Sequence, residues 1–201
     1  MKMSEGKGLC AFCRTPDATS GEELIKRVKK LMKNGNANAF NMFGYSYAHS
    51  RHNMPQDWTK ANELWLKAGE LGCADGYYNL GISYHWGKGV EVDIKKAKHY
   101  YELAVMGGSV KTRYNLGCLD WNTGDYFRAI RHWMIAAKSG DEESLDRVKR
   151  GFMEGDVTKD EFANTLRAHH ERQKEMKSDA RDKAVASDMF DYDIYAQHLH
   201  N

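Results

Sequence analysis

Tyr77-Tyr78-Asn79-Leu80-Gly81 returns 36 positions later as Arg113-Tyr114-Asn115-Leu116-Gly117, and a weaker version, Phe40-Asn41-Met42-Phe43-Gly44, stands 37 positions earlier. Self-similarity at a fixed period of roughly 20 to 50 residues marks a repeat architecture, in which each unit hides its apolar face only against its neighbours. The three copies predict three equivalent helices. Behind each lies a second set of positions: Ala61, Trp65 and Ala68; Ala97, Tyr101 and Ala104; Ala129, Trp133 and Ala136. Alanine, aromatic and alanine at i, i+4 and i+7 share one helical face. Each block closes on a glycine, Gly72, Gly108 or Gly140, suited to the left-handed residue that ends a helix. This second set is spaced by 36 and then 32 positions. The shortening falls in a turn, where Asn122-Thr123-Gly124-Asp125 replaces the longer Trp86-Gly87-Lys88-Gly89-Val90-Glu91-Val92-Asp93.

The expectation is an all-α, right-handed α-solenoid of stacked helix-turn-helix repeats of about 36 residues, three and a fraction in number. Gly44, Gly81 and Gly117 let the two helices of a pair approach closely, and the aromatic of the second helix fills the space between pairs. Upstream, Leu24, Ile25, Val28, Leu31 and Met32 form an apolar stripe ending at Gly35, the second helix of an incomplete first repeat. Downstream, Glu143 to Phe152 reads as a degenerate first helix with Lys149 where the glycine should be. Thr158-Lys159-Asp160-Glu161 is a capping box that opens a final helix with Phe162, Ala163, Leu166 and His169 inward. The organisation follows: residues 1–20 a flexible N-terminus, 21–175 the solenoid with its capping helices, 176–201 a charged tail.

Composition narrows the function. The chain has 201 residues, 41% of them apolar, enough for a continuous core. No run of 18 apolar residues occurs, and MKMSEGKGLC lacks the apolar stretch of a secretory leader, so the expected location is cytoplasmic or nuclear, with no membrane partner. A net charge of +2 sets up no strong field, which makes nucleic acid an unlikely partner. Cys73 and Cys118 read as small apolar fillers.

The block Ala74, Leu80-Gly81, Tyr84, Gly87-Lys88-Gly89-Val90, Asp93, Lys96-Ala97, Tyr100-Tyr101, Ala104 and Gly107 resembles a Sel-one-like repeat, the tetratricopeptide-related class with a longer loop between its helices. The second copy matches at nearly every signature position. The first keeps Asp57, Lys60-Ala61 and Trp65 without the loop glycines, and the third loses the loop; together they cover roughly residues 35 to 140. The resemblance implies an adaptor that holds other proteins together. At the N-terminus, Cys10-Ala11-Phe12-Cys13-Arg14-Thr15-Pro16 is similar to the closing Cys-x-x-Cys of a RING-type zinc finger, the fold of many ubiquitin ligases. Cys10 and Cys13 would hold zinc only with further ligands outside this chain, so no cofactor is expected of these residues alone. The alternative function this second likeness implies is the substrate-recruiting part of a ubiquitin ligase whose finger is truncated.

Other constellations are weaker. The basic face Lys26, Arg27, Lys29, Lys30 and Lys33 reads as solvated. His169-His170, with His198 and His200, read as surface histidines, because adjacent helical residues point about 100° apart. The segment Asp188-Met189-Phe190-Asp191-Tyr192-Asp193-Ile194-Tyr195 mixes acids with aromatics. No phosphate loop and no serine, histidine and acid arrangement stands out, so no catalytic residue is expected and the chain reads as a non-enzyme.

If first helices line a concave surface, as the resemblance implies, register from the repeated glycines assigns its residues. They are Asn38, Asn41, Tyr45 and Ala48, then Asp75, Tyr78, Ile82 and His85, then Lys111, Tyr114, Cys118 and Trp121. A strip of tyrosine, tryptophan, histidine and asparagine suits capture of an extended peptide or helix of a protein partner. The oligomeric state is unknown from sequence.

Overall fold

The computed structural model describes residues 21–177. Among them run nine α-helices and no strand: α1 Gly21–Lys33, α2 Ala37–Ala48, α3 Trp58–Glu70, α4 Ala74–Trp86, α5 Ile94–Met106, α6 Val110–Asn122, α7 Tyr126–Lys138, α8 Glu142–Glu154 and α9 Lys159–Met176. The pairs α2–α3, α4–α5 and α6–α7 are the three units seen in the sequence, with α1 before them and α8–α9 after. Packing runs from each helix to its neighbours in sequence, and α9 returns to lie on both α7 and α8. This is the all-α solenoid the period predicts.

Local chemistry sets the turns. The second helices of the three units open on Asp57, Asp93 and Asp125, whose carboxylates accept from the N–H three residues on and cap the helix. The same aspartates donate their own N–H back to the carbonyls of Tyr47, Tyr84 and Asp120, at 3.0, 2.9 and 2.9 Å. One residue therefore caps the outgoing helix and clasps the incoming one.

Each unit is locked by an aromatic ring laid on a glycine. A Cβ added to Gly81 would stand 2.3 Å from the Tyr101 ring; at Gly117 it would meet the Trp133 indole at 2.4 Å, and at Gly44 the Trp65 indole at 2.7 Å. Trp65 Nε1 donates to the Asn41 carbonyl at 3.2 Å and Trp133 Nε1 to that of Tyr114 at 3.3 Å. The sequence reading put these aromatics between successive pairs. They do reach the next unit, Trp65 against Leu80, Tyr101 against Leu116 and Leu119, and Trp133 against Val148, and they also fill the close crossing within a pair, because the glycine leaves room there for the flat face of a ring.

The long loop has a separate task. Asn62 Nδ2, on α3, donates to the Lys88 carbonyl at 2.8 Å, and Lys88 Nζ lies 5.9 Å from the centre of the Trp58 ring. Gly89, at φ +69°, passes so close that a Cβ would sit 2.5 Å from Trp58 Cβ. The loop glycines thus let the second unit reach across and bind the first. In the third unit the loop is gone and charge takes over the joint. Lys98 occupies the place of Asn62, and its ammonium meets the fully buried carboxylate of Asp120. Arg128 Nε lies 3.4 Å and His132 Nε2 3.6 Å from the other oxygen.

At the C-terminal end Lys149 is exposed, with Ser144, Val148 and Gly151 turned inward. The capping box at Thr158 and Glu161 forms as expected. The face of α9 differs from the reading in two places: Ala163 is exposed, and Thr165 is buried beside His169. His169 faces inward, as the register of α9 predicts, and only its neighbour His170 lies at the surface. His169 is 2% exposed, with Nδ1 2.8 Å from the Ala137 carbonyl and Nε2 3.2 Å from Glu142 Oε1. These contacts fall on α7 and α8 together, so α9 seals the end of the stack.

Candidate functional site

The strip assigned by register lies along α2, α4 and α6, and the structure sorts its members. Asn38 is exposed. Tyr45, 40% exposed, stacks against His49 at 4.2 Å under the Arg51 guanidinium at 5.0 Å. Asn41 accepts at Oδ1 from Asn79 Nδ2 at 2.9 Å, which ties α2 to α4 along the strip. Lys111 Nζ reaches Asp75 Oδ1 at 3.1 Å and lies 4.8 Å from the centre of the Tyr78 ring, which ties α4 to α6. His85 stacks on the exposed Trp86 at 4.8 Å, and burial pushes its imidazole below the ordinary histidine value. Trp121 packs between Tyr126 at 4.6 Å and Trp133 at 5.5 Å.

Four of these residues belong as much to the core as to the strip. Tyr78 is half-buried against Tyr101, Leu116 and Leu119; Tyr114, Cys118 and Trp121 are half-buried against Ile130, Trp133 and Val148. Ala48 is no surface residue: it is wholly buried with Ala61, Trp65 and Leu80, where α2 packs on α3. The structure therefore brings together Asp75, Tyr78 and Lys111 in one cluster and Tyr45, His49 and Arg51 in another.

A further cluster was invisible to the register. Arg147, on α8, lies with its guanidinium 5.3 Å from the centre of the Trp133 ring and interacts with the Tyr114 hydroxyl, which holds the guanidinium pKa up. With Trp121, Arg150, Gly151 and Glu154 it lines a cleft of about 150 Å³ at the end of the strip. Sequence gave no pointer to it beyond two arginines one helical turn apart on α8.

Among the described residues no group of three or more His, Cys, Asp or Glu side chains is placed to hold a metal ion, and no helix is long and apolar enough to cross a membrane. Cys10 and Cys13 lie outside the described residues, as do His198, His200 and the segment 188–195. On α1, Lys26, Lys29, Lys30 and Lys33 are exposed, while Arg27 pairs with Glu23.

Comparison with known proteins agrees with this architecture. Residues 39–73 and 74–109 match the Sel1 repeat family, one repeat each. A putative sel1-like repeat-containing protein of Acanthamoeba polyphaga mimivirus is 39% identical over 62 residues, 31% of this chain and 12% of that protein. An uncharacterized protein of Neisseria meningitidis is 23% identical over 134 residues, 67% of this chain and 28% of that protein. The chain thus spans between about an eighth and a quarter of the curated relatives it matches. The crystal structure of a Sel1 repeat protein from Oxalobacter formigenes superposes with a TM-score of 0.63 at 21% identity, over 75% of this chain and 64% of that one. A protective antigen of uropathogenic Escherichia coli with an SLR fold superposes at 0.64 and 23% identity, over 73% of this chain and 33% of that one. These two likenesses concern the fold. The family match itself covers residues 39–109, about a third of this chain, as two Sel1 repeats set within an all-α solenoid fold.

Proposed function

We propose that this chain is a non-catalytic adaptor, and that it captures a peptide or helix of a protein partner along the strip of α2, α4 and α6, the concave side of the stack. Sel1-repeat solenoids are in general protein-interaction scaffolds. The observation that carries the finer reading is the tie between neighbouring helices along the strip, made by Asn41 with Asn79 and by Lys111 with Asp75 and Tyr78. Side chains already fixed in the free protein lose little rotamer freedom on binding, which otherwise costs about 0.5 to 1.5 kcal/mol for each long side chain immobilised. Aromatic faces with polar groups between them then offer anchors and hydrogen bonds together.

The test is affinity purification with mass spectrometry, comparing the native chain with Tyr45→Ala combined with Lys111→Glu. Both positions are exposed at 40% or more, so the melting temperature should stay unchanged. The partners enriched by the native chain should be lost with the variant. Retention of the same partners, or no specific enrichment by the native chain, would overturn the reading.

A further inference from the structure

The cleft at the end of the strip sets two indole rings beside two arginines. Its walls are the Trp121 and Trp133 rings and the side chains of Ile130, Arg147 and Arg150, with Glu154 as its one acid. The Arg147 guanidinium is held in place by Tyr114 and Trp133. Arg150 has no ion-pair or hydrogen-bond partner among the described residues. The cleft thus sets the half-buried Trp121 ring beside two cations, suited to one aromatic side chain of a short acidic peptide. A second groove nearby fits such a ligand less well. The broader one on α7, lined by Phe127, Arg131, Met134 and Ile135, sets Asp156 and Glu161 against Arg131 and Lys138 and has no net charge.

This chain contains a segment of the matching chemistry. Residues 188–195, Asp-Met-Phe-Asp-Tyr-Asp-Ile-Tyr, hold three acids and three aromatics with no base. The bases and acids between Lys177 and this segment balance, Arg181 and Lys183 against Asp179 and Asp182, so its negative charge is local. Reach is sufficient. α9 ends with Met176 against Gly140, at the start of α8, and Arg150 lies on α8 itself, whose thirteen residues span about 20 Å. The ten residues 178–187 extend to about 33 to 36 Å.

We infer that residues 188–195 of this chain dock in the cleft of Trp121, Arg147 and Arg150, and there compete with a partner for that end of the strip. The inference rests on the strip being a binding surface. Docking places Asp191 and Asp193 beside Arg150, the cation of the cleft that has no ion-pair partner among the described residues.

The experiment uses the full chain with the photo-crosslinking residue benzoylphenylalanine in place of Tyr192, irradiated at low concentration and mapped by mass spectrometry. Cross-links should concentrate within one chain on Cys118–Trp121 and Arg147–Glu154. Arg150→Glu, an exposed change that leaves the core intact, should reduce them at least tenfold, and adding Asp191→Lys and Asp193→Lys to it should restore them. Cross-links mainly to α7 or α1, links only between isotopically distinct chains, none at all, or no response to Arg150→Glu would each overturn the proposal. The map needs no partner. Failure of the map with capture still lost in the Tyr45 and Lys111 variant would sink this inference alone.

Discussion

The contact between Gly81 and the Tyr101 ring shows how much one hydrogen atom decides. In an open helix, replacing glycine by alanine gains about 0.5 to 1 kcal/mol. Here the new Cβ would sit 2.3 Å from a ring carbon of a side chain that is 1% exposed and hemmed in by Leu116 and Leu119. Overpacking of that kind costs about 1 to 3 kcal/mol or more, so it outweighs the propensity gain. Gly81→Ala should lower the urea midpoint with an unchanged m-value; a higher midpoint would mean that the ring can step aside. The complementary change, Tyr101→Ala, empties a large buried site and should cost about 3 to 5 kcal/mol in the same assay. Burial also drives the Tyr101 hydroxyl well above the ordinary tyrosine pKa, which fits a ring kept from water.

Between elements, the buried Asp120 cluster shows what the sequence could and could not tell. The period, the glycines, the aspartate caps and the terminal helices were legible, because each depends on residues close in sequence or on a repeated spacing. Asp120 was not, since an acid in a helix ordinarily reads as solvated. Its meaning appears only when the units are aligned: it stands where Tyr47 and Tyr84 stand, Arg128 where Lys60 and Lys96 stand, and Lys98 where Asn62 stands. In the first two units the lysine lies over the tyrosine ring, at 5.5 and 5.2 Å. In the third, ring and lysine give way to carboxylate and arginine, with His132 added. Arg147 escaped the reading for another reason: α8 is degenerate, and its contact with Tyr114 joins residues 33 positions apart.

The same cluster makes a prediction about pH. Burial first, and then Arg128, Arg113 and Lys98, hold the His132 imidazole below the ordinary histidine pKa, against the pull of Asp120. The folded chain therefore resists the proton, and the unfolded chain takes it up first as the pH falls. Stability from neutral His132 is complete above about pH 6.5 and declines as pH drops through the lowered folded value. His52 and His85 are shifted the same way by burial. Urea titrations at about pH 7.5 and about pH 5.5 should show the loss, and His132→Gln should shrink it without abolishing it. An equal loss in the variant would clear His132 of the effect.

At the level of the whole molecule, the solenoid is a line of joints, each made by neighbours only. Its closed end depends on α9, whose His169 and Gln173 bind the Ala137 and Gly140 carbonyls at the exit of α7, at 2.8 and 3.2 Å. Its other end, α1, has a single fully buried side chain, Val28. The joints between are unlike one another. The second unit grips the first with a loop whose backbone carbonyl is held by Asn62, a neutral bond that salt hardly affects. The third is joined to the second by Lys98 and Asp120, a charged contact with the lysine 28% exposed to solvent. Pulled from its two ends in an optical trap, the protein should part between α5 and α6 before it parts between α3 and α4, and at a lower force as salt is raised. The loop is then a strap, and the unit that lacks it marks where the chain is built to tear.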